Sequence, residues 1–338
     1  MDSITQVALG AAVGEAILGK KIGYRAAAWG AVLGTFPDLD ILANPVLDAV
    51  QQLRFHRSIT HSVFFSILAS PLFGIVLNKI NHSLEVGWKK WAKMSFWVFF
   101  THILIDFPTT YGTQLLFPLT DTPYTLDSIF IIDPLFTLPL LVGLFTALTF
   151  QRNSHLRKAI NYGGLALSFF YMIWGLGIKP HVHSVFSSSF EHQYSGYEAI
   201  KTSPNGPTTF LWNGYILKND TIYHSVYSLF DKNKKLTFRA FPRQSELIEP
   251  YMKDRAVNTI LWFSGEFYRA EKISDTLYIY DLRFGRDDFW VTESGNLVWK
   301  YEVEIDEKNE AVNFSQHLPS FDVRTGNLTR FWNRIWQR

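Results

Sequence analysis

The chain has 338 residues, a formal charge of +2 and no cysteine. The missing cysteines exclude thiolate metal sites, disulfides and cysteine nucleophiles, and so small a net charge gives no argument for a nucleic-acid partner. Mean hydropathy is close to zero, but it averages two unlike parts: residues 1–178 are dominated by apolar runs, while residues 179–338 carry most of the carboxylates.

The length accommodates two domains. Zero cysteine is compatible with an oxidising compartment, and the N-terminus, with Asp2 and no basic stretch, does not read as a cleavable signal peptide.

Apolar runs fall at residues 4–19, 26–42, 63–80, 96–105, 130–150 and 159–178. Several approach the roughly 20 apolar residues that span a bilayer. A soluble core explains one such run, but not several separated by basic connectors. The expectation is an α-helical polytopic membrane domain of about six helices, with the first two short or tilted, over 1–178. Lys20, Lys21 and Arg25 follow the first run, Lys79, Lys89, Lys90 and Lys93 the third, and Arg152, Arg157 and Lys158 the fifth. Cations favour the cytoplasmic side, so both termini are expected outside, with the chain a multi-pass protein of a bacterial inner membrane.

Beyond Pro180 the pattern changes to β-rich, partly alternating segments: 208–212, 221–227 and 276–280. Turn signals at Pro204-Asn205-Gly206 and Asp231-Lys232-Asn233 separate them. Residues 179–338 are therefore expected to form a mainly antiparallel β, soluble, extracytoplasmic domain. His181, His183 and His192 read as an exposed interfacial linker. The segment 327–338 reads as a docking helix, with a return to the membrane surface as its alternative.

The chemistry concentrates in three short stretches. Pro37-Asp38-Leu39-Asp40 ends the second run, His56-Arg57-Ser58-Ile59-Thr60-His61-Ser62 opens the third, and His102 and Asp106 lie four apart in the fourth. That last spacing puts both on one helix face. Taken singly, Asp-x-Asp after proline is a common turn and His-x4-His is weak. A carboxylate inside an apolar run is stronger, because a buried charge needs a cation or a donor. With the expected topology, all of these fall at one membrane face, together with Asp133. The candidate ligands for a divalent metal are thus Asp38, Asp40, His56, His61, His102, Asp106 and Asp133. Zinc leads, with manganese or magnesium as alternatives. Asp133 reads equally as a ligand or as the N-cap before Pro134, and Asp2 reads more as a cap. Ser58, Thr60 and Ser62 read as caps rather than nucleophiles, since no Gly-x-Ser-x-Gly elbow is present. Arg57 reads as an ion-pair partner of the carboxylates or a clamp for an anionic substrate.

These motifs, with the stretch Thr101-His102-Ile103-Leu104-Ile105-Asp106 and its continuation through Thr109, Gly112, Leu115-Leu116 and Pro118, resemble the YdjM-type family of inner-membrane metal-dependent hydrolases over roughly the N-terminal half. The resemblance implies a distant likeness to zinc-dependent phospholipases C and single-strand nucleases, hence a helical phosphoesterase-like metal site. Where relatives often carry histidine near the N-terminus this chain has Gln6, which leaves the number of metal ions open.

The expected function is a membrane-bound hydrolase in which metal-activated water attacks an amphiphilic or phosphoester substrate, with Asp40, Arg57 and His61 as catalytic residues and the β domain as lid or platform. The expected partners are the bilayer and a lipid-like small molecule, not nucleic acid. The alternative is a non-catalytic membrane scaffold or regulatory protein with a structural metal. A transporter is weaker, because no internal repeat is visible and the ionisable residues cluster at one end rather than at mid-membrane.

Overall fold

A computed structural model describes residues 1–292, 295–305, 311–317 and 325–336. The chain forms two compact units, Met1–Val46 with Arg54–Leu176, and Leu47–Leu53 with Gly177–Arg338. A short piece inside the membrane-like half thus groups with the C-terminal half.

In the first unit a helix stands at each apolar run. These are α1 (Ser3–Ile22), α2 (Tyr24–Thr35), then, after the short α3 (Ala49–Phe55), α4 (Val63–Ile80), α5 (Trp88–Asp106), α6 (Pro134–Leu148) and α7 (His155–Tyr194). Among the described residues, α4 and α7 are long and apolar enough to cross a membrane. The other four fall short for different reasons. The 12 residues of α2, at about 1.5 Å each, cover well under the roughly 30 Å of a hydrocarbon core. The 15 residues of α6 are apolar but also short. Lys89, Lys90 and Lys93 weigh against α5, and Glu15, Lys20 and Lys21 against α1.

The helix starts follow local chemistry. Asp2 accepts from Thr5 N–H at 3.0 Å to cap α1, Ser62 accepts from Phe65 N–H at 3.1 Å to cap α4, and Asp133 accepts from Leu135 N–H at 3.0 Å ahead of Pro134 in α6.

Glycine sets the closest helix contact. α1 and α2 meet along Gly10 and Gly14 on one side and Gly30 and Gly34 on the other. A Cβ built on Gly30 would lie 2.1 Å from the Gly10 carbonyl oxygen, and one on Gly34 would lie 2.7 Å from that of Gln6. Backbones this close are the signature of small-residue packing in membrane helices, where dispersion rather than water exclusion holds the pair. Around this contact lies a core of Leu9, Val13, Leu33, Trp91, Met94, Phe99 and Phe136. α5 therefore packs where α1 and α2 leave it room. A buried ion pair joins α1 to α7: Arg157 holds Glu15 through Nε to Oε1 at 2.7 Å and Nη2 to Oε2 at 2.8 Å. Sequence reading places these two charges separately, one inside a run and one in a connector.

The second unit is built on two four-stranded antiparallel sheets. The first, in the order β1-β2-β3-β4, uses Ala199–Pro204, Leu211–Lys218, Thr221–Ser228 and Arg239–Pro242. The β2–β3 hairpin turns at Asn219 and Asp220, both left-handed with φ of 48° and 52°, as a two-residue hairpin turn requires. After α8 (Arg255–Ser264), the second sheet runs in the order β5-β6-β7-β8 through Tyr268–Ile273, Thr276–Asp281, Lys300–Ile305 and Ala311–His317. The antiparallel expectation holds.

The linker reading of His181, His183 and His192 does not, because α7 continues without a break to Tyr194. Val182, Phe186 and Phe190, four apart, form a buried stripe against Trp212, Ile216 and Tyr227. That packing carries the helix past Pro180. The last helix, α9 (Thr325–Trp336), docks: Phe331 and Ile335 are buried against Leu211, and Arg334 pairs with Asp231 at 2.8 Å. Residues 337–338 of that segment lie outside the described residues.

Gly30→Val forces a side chain into the Gly10 backbone and is expected to destabilise the detergent-solubilised protein by about 2 kcal/mol or more. Ala28→Val, on the exposed side of the same helix, is expected to be silent. Thermal melting followed by size-exclusion chromatography compares the two, and equal midpoints would show that the α1–α2 contact is loose.

Candidate metal centre

The four donors come from three places in the first unit. α2 ends at Thr35 and the chain tightens into a 3-10 run, Phe36–Val46, which carries Asp38 and Asp40. His61 closes a single 3-10 turn, Ile59–His61, immediately before the α4 cap. His102 and Asp106 occupy the last turn of α5. One donor atom from each of Asp38, His61, His102 and Asp106 lies within 4.8 Å of every other.

The separations are informative. His61 Nε2 is 3.2 Å from Asp38 Oδ1, 3.2 Å from His102 Nε2 and 3.4 Å from Asp106 Oδ2. His102 Nε2 is 3.5 Å from Asp38 Oδ1 and 3.6 Å from Asp106 Oδ2. Donors bound tetrahedrally at about 2.0–2.1 Å from one ion stand about 3.3–3.4 Å apart.

Two further facts point the same way. His102 Nδ1 is 2.8 Å from the carbonyl oxygen of Gly34. A carbonyl only accepts, so Nδ1 carries the proton and Nε2 presents its lone pair to the cluster. His61 Nε2 stands 3.2 Å from that lone pair, a contact that calls for a proton or a cation between the two rings. Asp106 is 0 % exposed, and its Oδ2 has no hydrogen-bond donor. A buried carboxylate oxygen left bare costs several kcal/mol unless a cation meets it. Two imidazole nitrogens and two carboxylate oxygens suit zinc, and manganese less well, so the residues present fit a divalent ion.

The opposite oxygen of Asp106 is crowded with donors. Oδ1 receives the terminal ammonium of Met1, Gln6 Nε2 at 3.0 Å and, more distantly, Arg57 Nη2 at 3.4 Å. Arg57 is buried, lies over the Tyr111 ring at 4.8 Å and reaches Thr109 Oγ1 at 3.3 Å. Of its two sequence readings, the ion pair with a carboxylate is the one seen.

The remaining candidates stand elsewhere. Asp40 is turned away from the four-donor cluster: Oδ1 meets His56 Nδ1 at 3.0 Å, and Oδ2 accepts the Arg57 backbone N–H at 2.9 Å and lies 3.7 Å from His61 Nδ1. Asp40 and His56 thus form a pair behind His61 rather than two more donors beside it. Asp133 is not brought into the cluster. It caps α6 and accepts the Tyr171 hydroxyl at 2.9 Å. Ser58 donates to the Phe55 carbonyl and Ser62 caps α4, so neither hydroxyl is arranged as a nucleophile.

Sequence reasoning missed several supports: the Gly34 carbonyl, the Met1 and Gln6 donors on Asp106 Oδ1, and the hydrogen bonds of Gln114. Gln114 pins the histidine segment, with its N–H on the Arg57 carbonyl at 3.0 Å and its amide on that of Arg54 at 2.7 Å. Gln6, noted in the sequence as a departure, sits against the site through Asp106 and the His102 carbonyl.

A family model of the YdjM inner membrane protein matches residues 1–182, which include every residue of this cluster. No curated protein sequence and no solved structure matches the chain.

The geometry separates four donors from the other three candidates, Asp40, His56 and Asp133, and metal content tests it. His61→Ala or Asp106→Ala is expected to bring zinc in the purified, folded protein to background. His56→Ala and Asp133→Ala are expected to retain it, with affinity lowered by no more than about tenfold for a supporting residue. Elemental analysis after dialysis reads the outcome, and full occupancy in both His61→Ala and Asp106→Ala would remove these residues from the site.

Proposed function

Because the chain belongs to the YdjM inner membrane protein family, we propose that it is a metal-dependent hydrolase acting on an amphiphilic phosphoester at the membrane. The observation that carries the reading is Asp106 Oδ2, a buried carboxylate oxygen without a donor that faces two imidazole nitrogens. Asp38, His61, His102 and Asp106 would hold the ion, zinc in the first instance. When bound, such an ion lowers the pKa of water from 15.7 towards about 7 and so supplies a nucleophile at neutral pH.

The chain's own residues do the rest. Arg57, always charged and buried beside Asp106, holds positive charge where a phosphoryl oxygen would gather negative charge. The Asp38 side chain is 22 % exposed and that of His56 27 %, so the cluster is reachable from one side. Asp40 holds His56 through Nδ1, which leaves Nε2 free to take or return a proton. Asp40 also lies behind His61, within 3.7 Å of its Nδ1. We place the protein in the membrane with six embedded helices and the C-terminal unit outside the cytoplasm, on the positive-inside distribution of Lys20, Lys21, Lys89, Lys90, Arg152 and Lys158.

A second reading, a scaffold with a structural ion, draws on a specific feature: four protein donors already complete a tetrahedron. The two readings diverge in assay. With hydrolysis of an amphiphilic phosphodiester measured in detergent, activity is expected to disappear with chelator and return with zinc. Ser58→Ala and Ser62→Ala are expected to keep most of it, and Asp40→Asn to lose about two orders of magnitude. Metal-loaded protein inert towards phosphoester, carboxyl ester and amide probes would support the scaffold, and chelator-resistant activity lost in Ser58→Ala would replace metal chemistry with a serine nucleophile. For topology, reporter fusions after Arg157 and after Asn219 are expected to give phosphatase activity only at the second. The reverse result would invert the orientation.

A further inference from the structure

We propose that a basic cavity between α1 and the start of α7 binds the headgroup of an anionic phospholipid. The cavity has a volume of about 330 Å³, and its lining includes Lys20, Arg152, Arg157 and Lys158 against the single carboxylate of Glu15. Glu15 is spent on Arg157, which grips it with two parallel hydrogen bonds and turns its third nitrogen to the Phe150 carbonyl at 3.0 Å. Lys20, Arg152 and Lys158 are exposed, and none has an ion pair among the described residues. The cavity is therefore a cationic bowl with a rigid, neutralised floor.

Two features make it more than a cluster of surface lysines. α7, 40 residues long, begins at His155 on the cavity wall, so the positive end of its dipole adds to the attraction for an anion, although Ser154 Oγ already accepts the Leu156 N–H at 3.2 Å. Asn161, 2 % exposed, also lines the cavity. Its Nδ2 donates to the Ala12 carbonyl at 2.9 Å, which fixes the amide orientation, and its Oδ1 is left buried without a donor. The cavity itself calls for a ligand that brings negative charge, and the phosphate of an anionic phospholipid brings it.

The surroundings select a lipid over a free phosphate. Leu156 and Tyr162 beside the cavity are 59 % and 46 % exposed, and Leu167, Phe170 and Ile173 continue that apolar exposure along α7, a helix long and apolar enough to cross a membrane. Acyl chains can lie along this face while the headgroup fills the bowl. Basic pockets between membrane helices are a recognised form of anionic-lipid site. The proposal rests on membrane residence, not on hydrolysis.

The test uses the full chain, delipidated in detergent, with bound lipid counted by native mass spectrometry. Phosphatidylglycerol is expected to be retained over phosphatidylcholine, and Lys20→Gln with Lys158→Gln to cut that retention about 30-fold, each basic residue near an anionic surface being worth about fivefold. Both lysines are exposed, so the fold should survive, and unchanged zinc content in the double variant verifies it independently of any hydrolytic assay. Equal retention of phosphatidylglycerol and phosphatidylcholine, or a double variant with wild-type retention, would overturn the site. Displacement of phosphatidylglycerol by millimolar glycerol 3-phosphate would overturn the lipid in favour of a soluble phosphate.

Discussion

Asp106 is the constraint around which the first unit is arranged. A buried carboxylate at the C-terminal end of α5 has to be satisfied on both oxygens, because the water that would do so elsewhere is excluded. One oxygen is met by donors from three directions: the chain start, Gln6 and Arg57. The other meets none and instead faces His61 and His102. That asymmetry gives the site its polarity. Positive charge is fixed on the side of Oδ1, so a cation on the side of Oδ2 needs further negative charge near it, and Asp38 provides it 3.2 Å from His61 Nε2.

The precision of this arrangement depends on packing some distance from it. His102 is oriented by the Gly34 carbonyl, and Gly34 is where it is because α1 and α2 approach until their glycine backbones touch. A larger residue at that contact would push α2 outward, carry the Gly34 carbonyl with it and release the imidazole to rotate. The 3-10 run bearing Asp38 starts one residue beyond α2, so the same displacement would move a second donor. Helix packing and donor geometry are therefore one property, and a loose α1–α2 interface would be read first as lost metal affinity.

How much of this was legible in the sequence follows from what a one-dimensional pattern can carry. His102 and Asp106 were legible because four residues is one turn of a regular helix, and because ionisable side chains in an apolar run are rare enough to count. The Asp38 and Asp40 pair was misleading. In a 3-10 turn of three residues, positions two apart point about 240° from one another, so only one can face a given point. Asp38 does, and Asp40 turns back to His56 and the Arg57 N–H. The two histidines of the second motif diverge for a related reason: Arg57 has a φ of 60°, which reverses the chain between them. The extent of α7 was misjudged because polar composition and Pro180 look like a helix end, whereas Val182, Phe186 and Phe190 continue the helical period on a new partner. The backbone carbonyl of Gly34 left no trace at all, since every residue has one.

The distinction between an open and a closed ion site turns on Asp38 more than on the number of donors. His61, His102 and Asp106 are 0 %, 1 % and 0 % exposed, and each is anchored by a second contact: His61 to Thr60, His102 to Gly34, Asp106 to Gln6. Asp38 is the exception, on an irregular run with its side chain partly in contact with solvent. Three buried donors with one partly exposed carboxylate is a composition that can serve either chemistry. With Asp38 bound the sphere is full, as a structural ion requires. Were an ion held by His61, His102 and Asp106 alone, a fourth position would be left for water, as a hydrolytic site requires. The anchoring of the other three argues for the second. A purely structural site gains nothing from placing its least constrained ligand at the solvent side, next to a half-exposed His56 held by Asp40, whereas a site that must admit a substrate needs its weakest ligand and its proton acceptor on the same open face.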